Sequence, residues 1–115
     1  MSRKKLREDG RGKTATAMLE HLTRETLSHH LNTKFRLYFD GSKAVEVELI
    51  EVTGGETTRQ ENFSVIFRGP ADHPFWQRIY RMEHEQLGDF ELFLVPIRKD
   101  AQGFYYEAVF NRVKG

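Results

Sequence analysis

The chain has 115 residues, with 18 Lys and Arg against 17 Asp and Glu, no Cys, and a formal net charge of +1 at pH 7. This length suffices for one hydrophobic core and is too short for two domains. The lack of Cys excludes disulfides, thiolate nucleophiles and zinc sites built on Cys. No apolar run reaches the roughly 18 residues of a membrane span, and no apolar segment follows the basic N-terminus as in a signal peptide. We therefore expect a cytoplasmic protein that has no membrane partner.

The positive charge is concentrated at the N-terminus. Residues 1–17 carry six Lys and Arg but only two Asp and Glu, a net charge of +4, which leaves −3 for the rest of the chain. Few of these residues are apolar, so they cannot bury enough surface to offset the cost of ordering them. We predict a disordered basic tail over residues 1–17 and a single β-barrel-like domain over residues 18–115.

A short helix is predicted at the start of the domain. Thr23 is a favourable N-cap, and Glu25 lies in the first turn, where the helix dipole favours a carboxylate. Leu22 and Leu27 occupy the two positions of a hydrophobic staple. Asn32 is expected to end the helix.

Alternation of apolar and polar residues predicts three strands in the first half of the chain. The Asp40-Gly41 pair predicts a tight turn between the first two strands, and the adjacent Leu49 and Ile50 break the alternation, as at a β-bulge. Residues 54–61, which begin with two Gly, are predicted to form a loop. The inward-facing side chains of these strands are predicted to be Phe35, Leu37 and Phe39, then Val45, Val47 and Leu49, then Phe63, Val65 and Phe67.

The segment 78–85 fits two patterns. Ile79 and Met82 have helical spacing, whereas Tyr80, Met82 and His84 would share one face of a strand. We favour a strand.

The last two strands are the most strongly marked. Residues 90–97 are apolar on both faces, which predicts that both faces are covered, and a turn over residues 99–103 leads to the sixth strand. We expect this hairpin to be the centre of stability, with Phe93 and Phe110 both buried. The sequence thus predicts a mainly β fold: a six-stranded antiparallel barrel or strongly bent sheet, with one short N-terminal helix that closes one edge or end.

Several side chains could be mistaken for a reactive site. His73, His84 and Glu85 could hold a metal only if the loop folded over the strand, so solvated or capping His side chains are the preferred interpretation. Glu46 and Glu48 share a face that is most simply the solvated side of a strand, paired with Lys or Arg on its neighbour. We expect no catalytic residue, cofactor or metal, and no enzymatic activity.

The segment 73–78 has the character of a binding surface. It contains Phe75, Arg78 and Trp76, the sole Trp of the chain, and these residue types are enriched at interaction hot spots. Two interpretations are open: Phe75 and Trp76 plug an open end of the barrel, or they form an exposed contact patch. We favour the plug for Trp76, and we name Phe75, Trp76 and Arg78 as the candidate partner contacts.

A second surface could bind single-stranded nucleic acid through basic and aromatic side chains. Its candidate residues are Arg36, Tyr38, Arg78, Arg81 and Tyr105. The charge of −3 outside the tail opposes such binding, which depends on positive grooves. Nucleic acid is therefore an unfavoured partner.

Three segments together carry a resemblance to a known family: FSVIFRGP at residues 63–70, LGDFELFLVP at residues 87–96 and YEAVFNR at residues 106–112. With these motifs the chain resembles a family of small bacterial domains of unknown function. Its members are encoded near phage-tail-collar-like proteins, so the resemblance implies a shared fold and, by association, an accessory role in a phage-tail-like assembly.

We therefore expect a non-catalytic structural or protein-interaction module, whose partner is another protein or a second copy of the chain. The alternative is a small barrel that binds nucleic acid or a small ligand.

Overall fold

A computed structural model describes residues 22–56 and 60–113. The predicted basic tail, residues 1–17, lies outside the described residues. Within the described ranges no helix is long and apolar enough to cross a membrane. The elements of this part of the chain are helix α1 (Arg24–Ser28) and strands β1 (Lys34–Asp40), β2 (Lys43–Glu56), β3 (Gln60–Gly69), β4 (Arg78–His84), β5 (Gly88–Asp100) and β6 (Gly103–Val113).

The six strands form one antiparallel sheet that closes on itself. Their order around the ring is β1, β2, β3, β6, β5 and β4, and β4 pairs with β1 to complete it. The predicted mainly β fold with six antiparallel strands is confirmed, and residues 22–56 and 60–113 contain the one short helix that was expected. The strand predicted over residues 78–85 is confirmed as β4, and the bulge predicted at Leu49 and Ile50 is confirmed by a register shift between Leu49 and Glu51.

Helix α1 closes one end of the ring. The Thr23 hydroxyl accepts a hydrogen bond from the Thr26 amide at 3.0 Å, so the predicted N-cap is confirmed. Leu22 and Leu27 are fully buried and belong to the same apolar cluster as the strands. Asn32, with φ of 66°, redirects the chain into β1, because Asn tolerates this left-handed conformation better than most residues.

The core fills the inside of the ring with the side chains that alternate inward along each strand. Aromatic rings supply much of it: the Phe35 and Phe67 centroids lie 5.1 Å apart edge to face, and Phe63 stacks on Phe110 at 4.5 Å. Such pairs contribute beyond the area that they bury. The largest fully buried side chains are Tyr106, Phe35, Phe67, Phe90, Leu22, Leu27, Leu37, Leu49, Met82, Leu94, Val47 and Val65.

The loop predicted over residues 54–61 is wrong at residues 54–56 and 60–61, which belong to strands, and residues 57–59 lie outside the described residues. Strand β2 continues to Glu56, and Gly54 pairs with Phe63 of β3. A Cβ on Gly54, whose φ is 121°, would collide with the backbone of Asn62 and Phe63. This Gly therefore serves a close approach of two strands rather than a turn.

The prediction that both faces of β5 are covered is also wrong. Phe90, Leu92 and Leu94 point into the core, whereas the outward Phe93 is 51% exposed and Ile97 is 40% exposed. Helix α1 packs against β2, so it does not cover the outer face of β5. The apolar outer face of β5 consequently lies at the surface.

Candidate functional site

The connection between β3 and β4, residues 70–77, lies across the end of the ring opposite α1, which we call the mouth. Phe75 enters the mouth and is only 7% exposed. Its ring packs near Phe39, Tyr80 and Tyr106, with centroid distances of 5.6, 5.8 and 5.9 Å, and His73 stacks on it at 4.8 Å. Phe75 is therefore the plug of this end.

Two tyrosine hydroxyls fix the backbone of the connection. The Phe75 N–H donates a hydrogen bond to the Tyr106 hydroxyl at 2.9 Å, and the Tyr80 hydroxyl donates to the Trp76 carbonyl at 2.6 Å. Burial raises the pKa of both Tyr80 and Tyr106, so both hydroxyls stay protonated at neutral pH. The backbone on each side of Trp76 is thus held by the core.

Trp76 itself points into solvent. Its side chain is 85% exposed, so the interpretation of Trp76 as a plug is wrong. The physical reason is the alternation of an extended backbone: once Phe75 faces the core, its neighbour faces away from it. Of the three candidate contacts, Phe75 is buried, whereas Trp76 and Arg78 are at the surface.

Trp76 forms one wall of a small apolar pocket at the mouth. The pocket has a volume of about 270 Å³, and its lining residues are Pro74, Phe75, Trp76, Pro96 and Phe104. Cations flank it: the Lys99 ammonium lies 5.1 Å from the centroid of the Phe104 ring, and the Arg78 guanidinium lies 5.1 Å from that of Tyr80. This arrangement can bind an apolar or aromatic side chain of a partner.

Sequence reasoning missed Pro96 and Phe104 as parts of this site. They lie on β5 and β6, far from the connection along the chain, and the β5–β6 pairing brings them to the mouth. Pro96 pairs in register with Tyr106, the same residue that holds Phe75.

Of the candidate metal ligands, His84 and the adjacent Glu85 lie together, whereas His73 lies apart from both. His73 lies at the mouth and His84 at the far end of β4. His84 Nδ1 accepts hydrogen bonds from the amides of Gln86 and Leu87 at 3.0 and 3.3 Å. Burial and, to a smaller extent, the nearby His30 lower the pKa of His84. In the part of the chain that the structure describes, no cluster of side chains could hold a metal.

The basic and aromatic candidates are spread over separate places, and Arg78 lies at the mouth, over the Tyr80 ring. Arg36 and Tyr38 both contact the Glu83 carboxylate, at 2.8 and 2.9 Å, and the Arg81 guanidinium covers the Tyr38 ring at 3.7 Å.

Another of these candidates lies at the β5–β6 hairpin. Tyr105 is buried there beneath Arg98 and donates to Asp100. The ring faces of Tyr38 and Tyr105 are therefore already occupied by arginines of this chain.

Glu48 pairs with a cation on the neighbouring strand, as predicted. Its carboxylate lies 2.9 Å from the Arg68 guanidinium.

Comparison with known proteins gives one match. The model of a family described as a domain of unknown function, DUF6916, matches residues 22–110. No curated protein and no solved structure matches the chain. The match covers α1 and nearly all of the six-stranded ring. The chain therefore belongs to the DUF6916 family of domains of unknown function.

Proposed function

We propose that this domain is a non-catalytic protein-interaction module that works in the cytoplasm and contacts its partner through the mouth. The contact surface consists of Trp76, the apolar pocket beside it, and the flanking cations Arg78 and Lys99. We call it the Trp76 surface.

The exposure of Trp76 on a fixed backbone carries this proposal. A Trp that is 85% exposed leaves a large apolar area in water, and a chain folding for stability alone gains nothing from it. Trp is also the residue type most enriched at interaction hot spots.

The anchoring of the connection favours binding over a chance exposure. Hydrogen bonds on both sides of the Trp76 side chain, and the buried Phe75 next to it, hold the backbone before any partner arrives. A preorganised contact loses less conformational entropy on association than a loose one. A larger part of the free energy gained by burying Trp76 therefore remains as binding free energy.

The chemistry of the surface describes the partner. The pocket accepts one apolar or aromatic side chain, and the cations Arg78 and Lys99 favour acidic groups around it. The resemblance to domains encoded near phage-tail-collar-like proteins adds the proposal that this partner belongs to a phage-tail-like assembly.

Other activities have weaker support from the same geometry. The pocket of about 270 Å³ lies below the roughly 300–1,000 Å³ of ordinary small-ligand sites. Nucleic-acid stacking needs free aromatic faces, whereas Arg81 covers Tyr38 and Arg98 covers Tyr105. A protein partner fits an exposed Trp beside a shallow apolar pocket better.

Affinity capture from cells that encode the protein tests the proposal, with the wild-type chain, Trp76→Ala and Gln77→Ala as baits. Gln77 is the matched control because it is exposed and adjacent. We expect a protein that the wild-type and Gln77→Ala baits retain and that Trp76→Ala loses at least tenfold, with the same ratio for the purified pair. Equal capture by all three baits, or no specific capture by the wild type, would reject the Trp76 surface.

A further inference from the structure

The ring is open along part of one seam. The pairing of β5 with β6 extends from the β5–β6 turn to Val95 and Glu107 and ends there. Both strands continue, β5 back to residue 88 and β6 on to residue 113. We call the facing edges 88–94 and 108–111 the open seam.

Among the described residues, each edge of the open seam has a strand partner on one side only. Residues 88–94 pair with β4, and residues 108–111 pair with β3. Main-chain N–H and C=O groups that point across the seam therefore lack a sheet neighbour. Such an edge is a template for another extended chain.

Apolar side chains border the open seam on its outer face. Phe93 of β5 lies opposite Ile79 of β4 in register, and across the seam Phe93 and Val109 line a groove of about 240 Å³. Ile79 and Val109 are 60% and 62% exposed. Large apolar side chains on three consecutive strands form a patch of the kind that marks interaction sites.

Carboxylates flank this patch along the seam. The outward faces place Glu107 before Val109 on β6 and Glu91 before Phe93 on β5. Glu107 pairs with Val95 at the end of the β5–β6 ladder. Two residues further along both strands, the same register would place Val109 opposite Phe93, and Glu91 follows two residues beyond Phe93. In the described part of the chain neither Glu91 nor Glu107 forms an ion pair.

We propose that the open seam binds an extended segment of another protein, which adds a strand between β5 and β6. Main-chain hydrogen bonds supply the affinity, and alternate side chains supply the specificity. The outward side chains of the segment are basic, apolar and basic at successive levels, facing Glu107, then Phe93 and Val109, then Glu91. The inward ones are apolar, because Leu92 and Ala108 line the floor of the groove.

This site is separate from the Trp76 surface and has a different specificity. The Trp76 surface offers cations to its partner, whereas the open seam offers carboxylates. The domain thus carries two distinct sites. The Trp76 surface takes an apolar side chain that has acidic groups around it, and the open seam takes an extended segment with basic and apolar side chains.

A labelled peptide with the core Lys-Val-Ile-Val-Lys tests the seam on the full chain by fluorescence anisotropy. Two control peptides carry Lys-Val-Pro-Val-Lys, which cannot continue a strand, and Glu-Val-Ile-Val-Glu, which reverses the charges. We expect the first peptide to bind at least tenfold more tightly than either control. Hydrogen exchange of amides within residues 88–94 and 108–111 should slow on binding.

Variants assign the binding to the seam. Phe93→Glu and Val109→Glu should each weaken binding at least tenfold, whereas Trp76→Ala should change it less than twofold. Glu107→Lys should lower the affinity for the Lys peptide and raise it for the Glu peptide. The Glu107→Lys variant still tests the seam if Phe93→Glu or Val109→Glu does not fold.

Three results would overturn the proposal: no preference for the first peptide, no slowing of exchange at the seam, or equal binding by Phe93→Glu and the wild type. A dimer that forms without peptide and is lost in Phe93→Glu would assign the seam to a second copy and would likewise overturn it.

Discussion

The backbone N–H of Phe75 donates a hydrogen bond to the hydroxyl of Tyr106 at 2.9 Å, inside the mouth of the ring. Tyr106 is fully buried on β6, so this bond ties the β3–β4 connection to a third strand of the ring. Phe75 is thereby held as the plug, and the adjacent Trp76 is directed into solvent. The exposed Trp76 thus owes its position to a buried hydroxyl.

Removing that hydroxyl should destabilise the fold. Tyr106→Phe leaves the buried Phe75 N–H without an acceptor, which costs about 1–3 kcal/mol of unfolding free energy. Tyr105→Phe is the control, because its hydroxyl bonds to Asp100 at an exposed turn, where water can replace it. Urea denaturation measures both variants. Equal, small losses would mean that the Phe75–Tyr106 bond does not hold the connection.

The two neighbouring aromatics of the connection should behave oppositely on truncation. Phe75→Ala removes a buried ring and should cost about 3–5 kcal/mol. Trp76→Ala removes a ring that is already in water and should change the unfolding free energy by no more than about 0.5 kcal/mol. Chemical denaturation of both variants compares them directly. A large loss for Trp76→Ala would show that the ring packs on the domain.

Phe110 and Phe93 offer the same comparison on the last two strands. Phe110 is buried and stacks on Phe63 at 4.5 Å, so Phe110→Ala should cost about 3–5 kcal/mol. Phe93 is 51% exposed, and Phe93→Ala should cost clearly less than Phe110→Ala in the same thermal or urea titration. Comparable losses from the two variants would contradict the outward orientation of Phe93.

His84 should make stability depend on pH below neutrality. Burial and the neighbouring His30 lower its pKa in the folded state, so the unfolded chain binds the His84 proton more readily. The stabilising contribution is complete above the unfolded-state pKa of roughly 6.5 and is lost as the pH falls below it. The unfolding free energy should decline as the pH is lowered from about 8 to about 5, a range that spans that value.

Two variants isolate this effect. His84→Gln should flatten the decline, since the titrating ring is gone. His29→Gln should leave it in place, because His29 is exposed. A decline that is the same in all three proteins would assign the pH dependence to other groups.

Local sequence patterns were sufficient to predict the strands, whereas the exposed surfaces could be identified only from the closed ring. The alternation around Phe35 and Leu37 predicts which side of β1 is buried, because one face is polar. In β5 both faces are apolar, so the pattern cannot tell whether Phe93 or Leu92 points inward. Gly54 was assigned to a loop because a turn and a close strand approach both favour Gly.

The candidate site shows the same limit. The sequence identified residues 73–78, but two adjacent aromatics do not reveal which one enters the core. That choice depends on Tyr106 of β6, whose hydroxyl accepts a hydrogen bond from the Phe75 N–H. Pro96 and Phe104 reach the pocket through β5–β6 pairing, which no local pattern near Trp76 records.

The fluorescence of the single Trp tests the central claim most directly, since Trp76 is the only emitter of its kind in the chain. In the folded protein we expect the emission maximum of water-exposed tryptophan and efficient quenching by iodide, both nearly unchanged on unfolding in urea. Gln77→Ala should give the same spectrum. A blue-shifted maximum with poor iodide quenching in the folded chain would show that Trp76 is covered, and it would contradict the Trp76 surface.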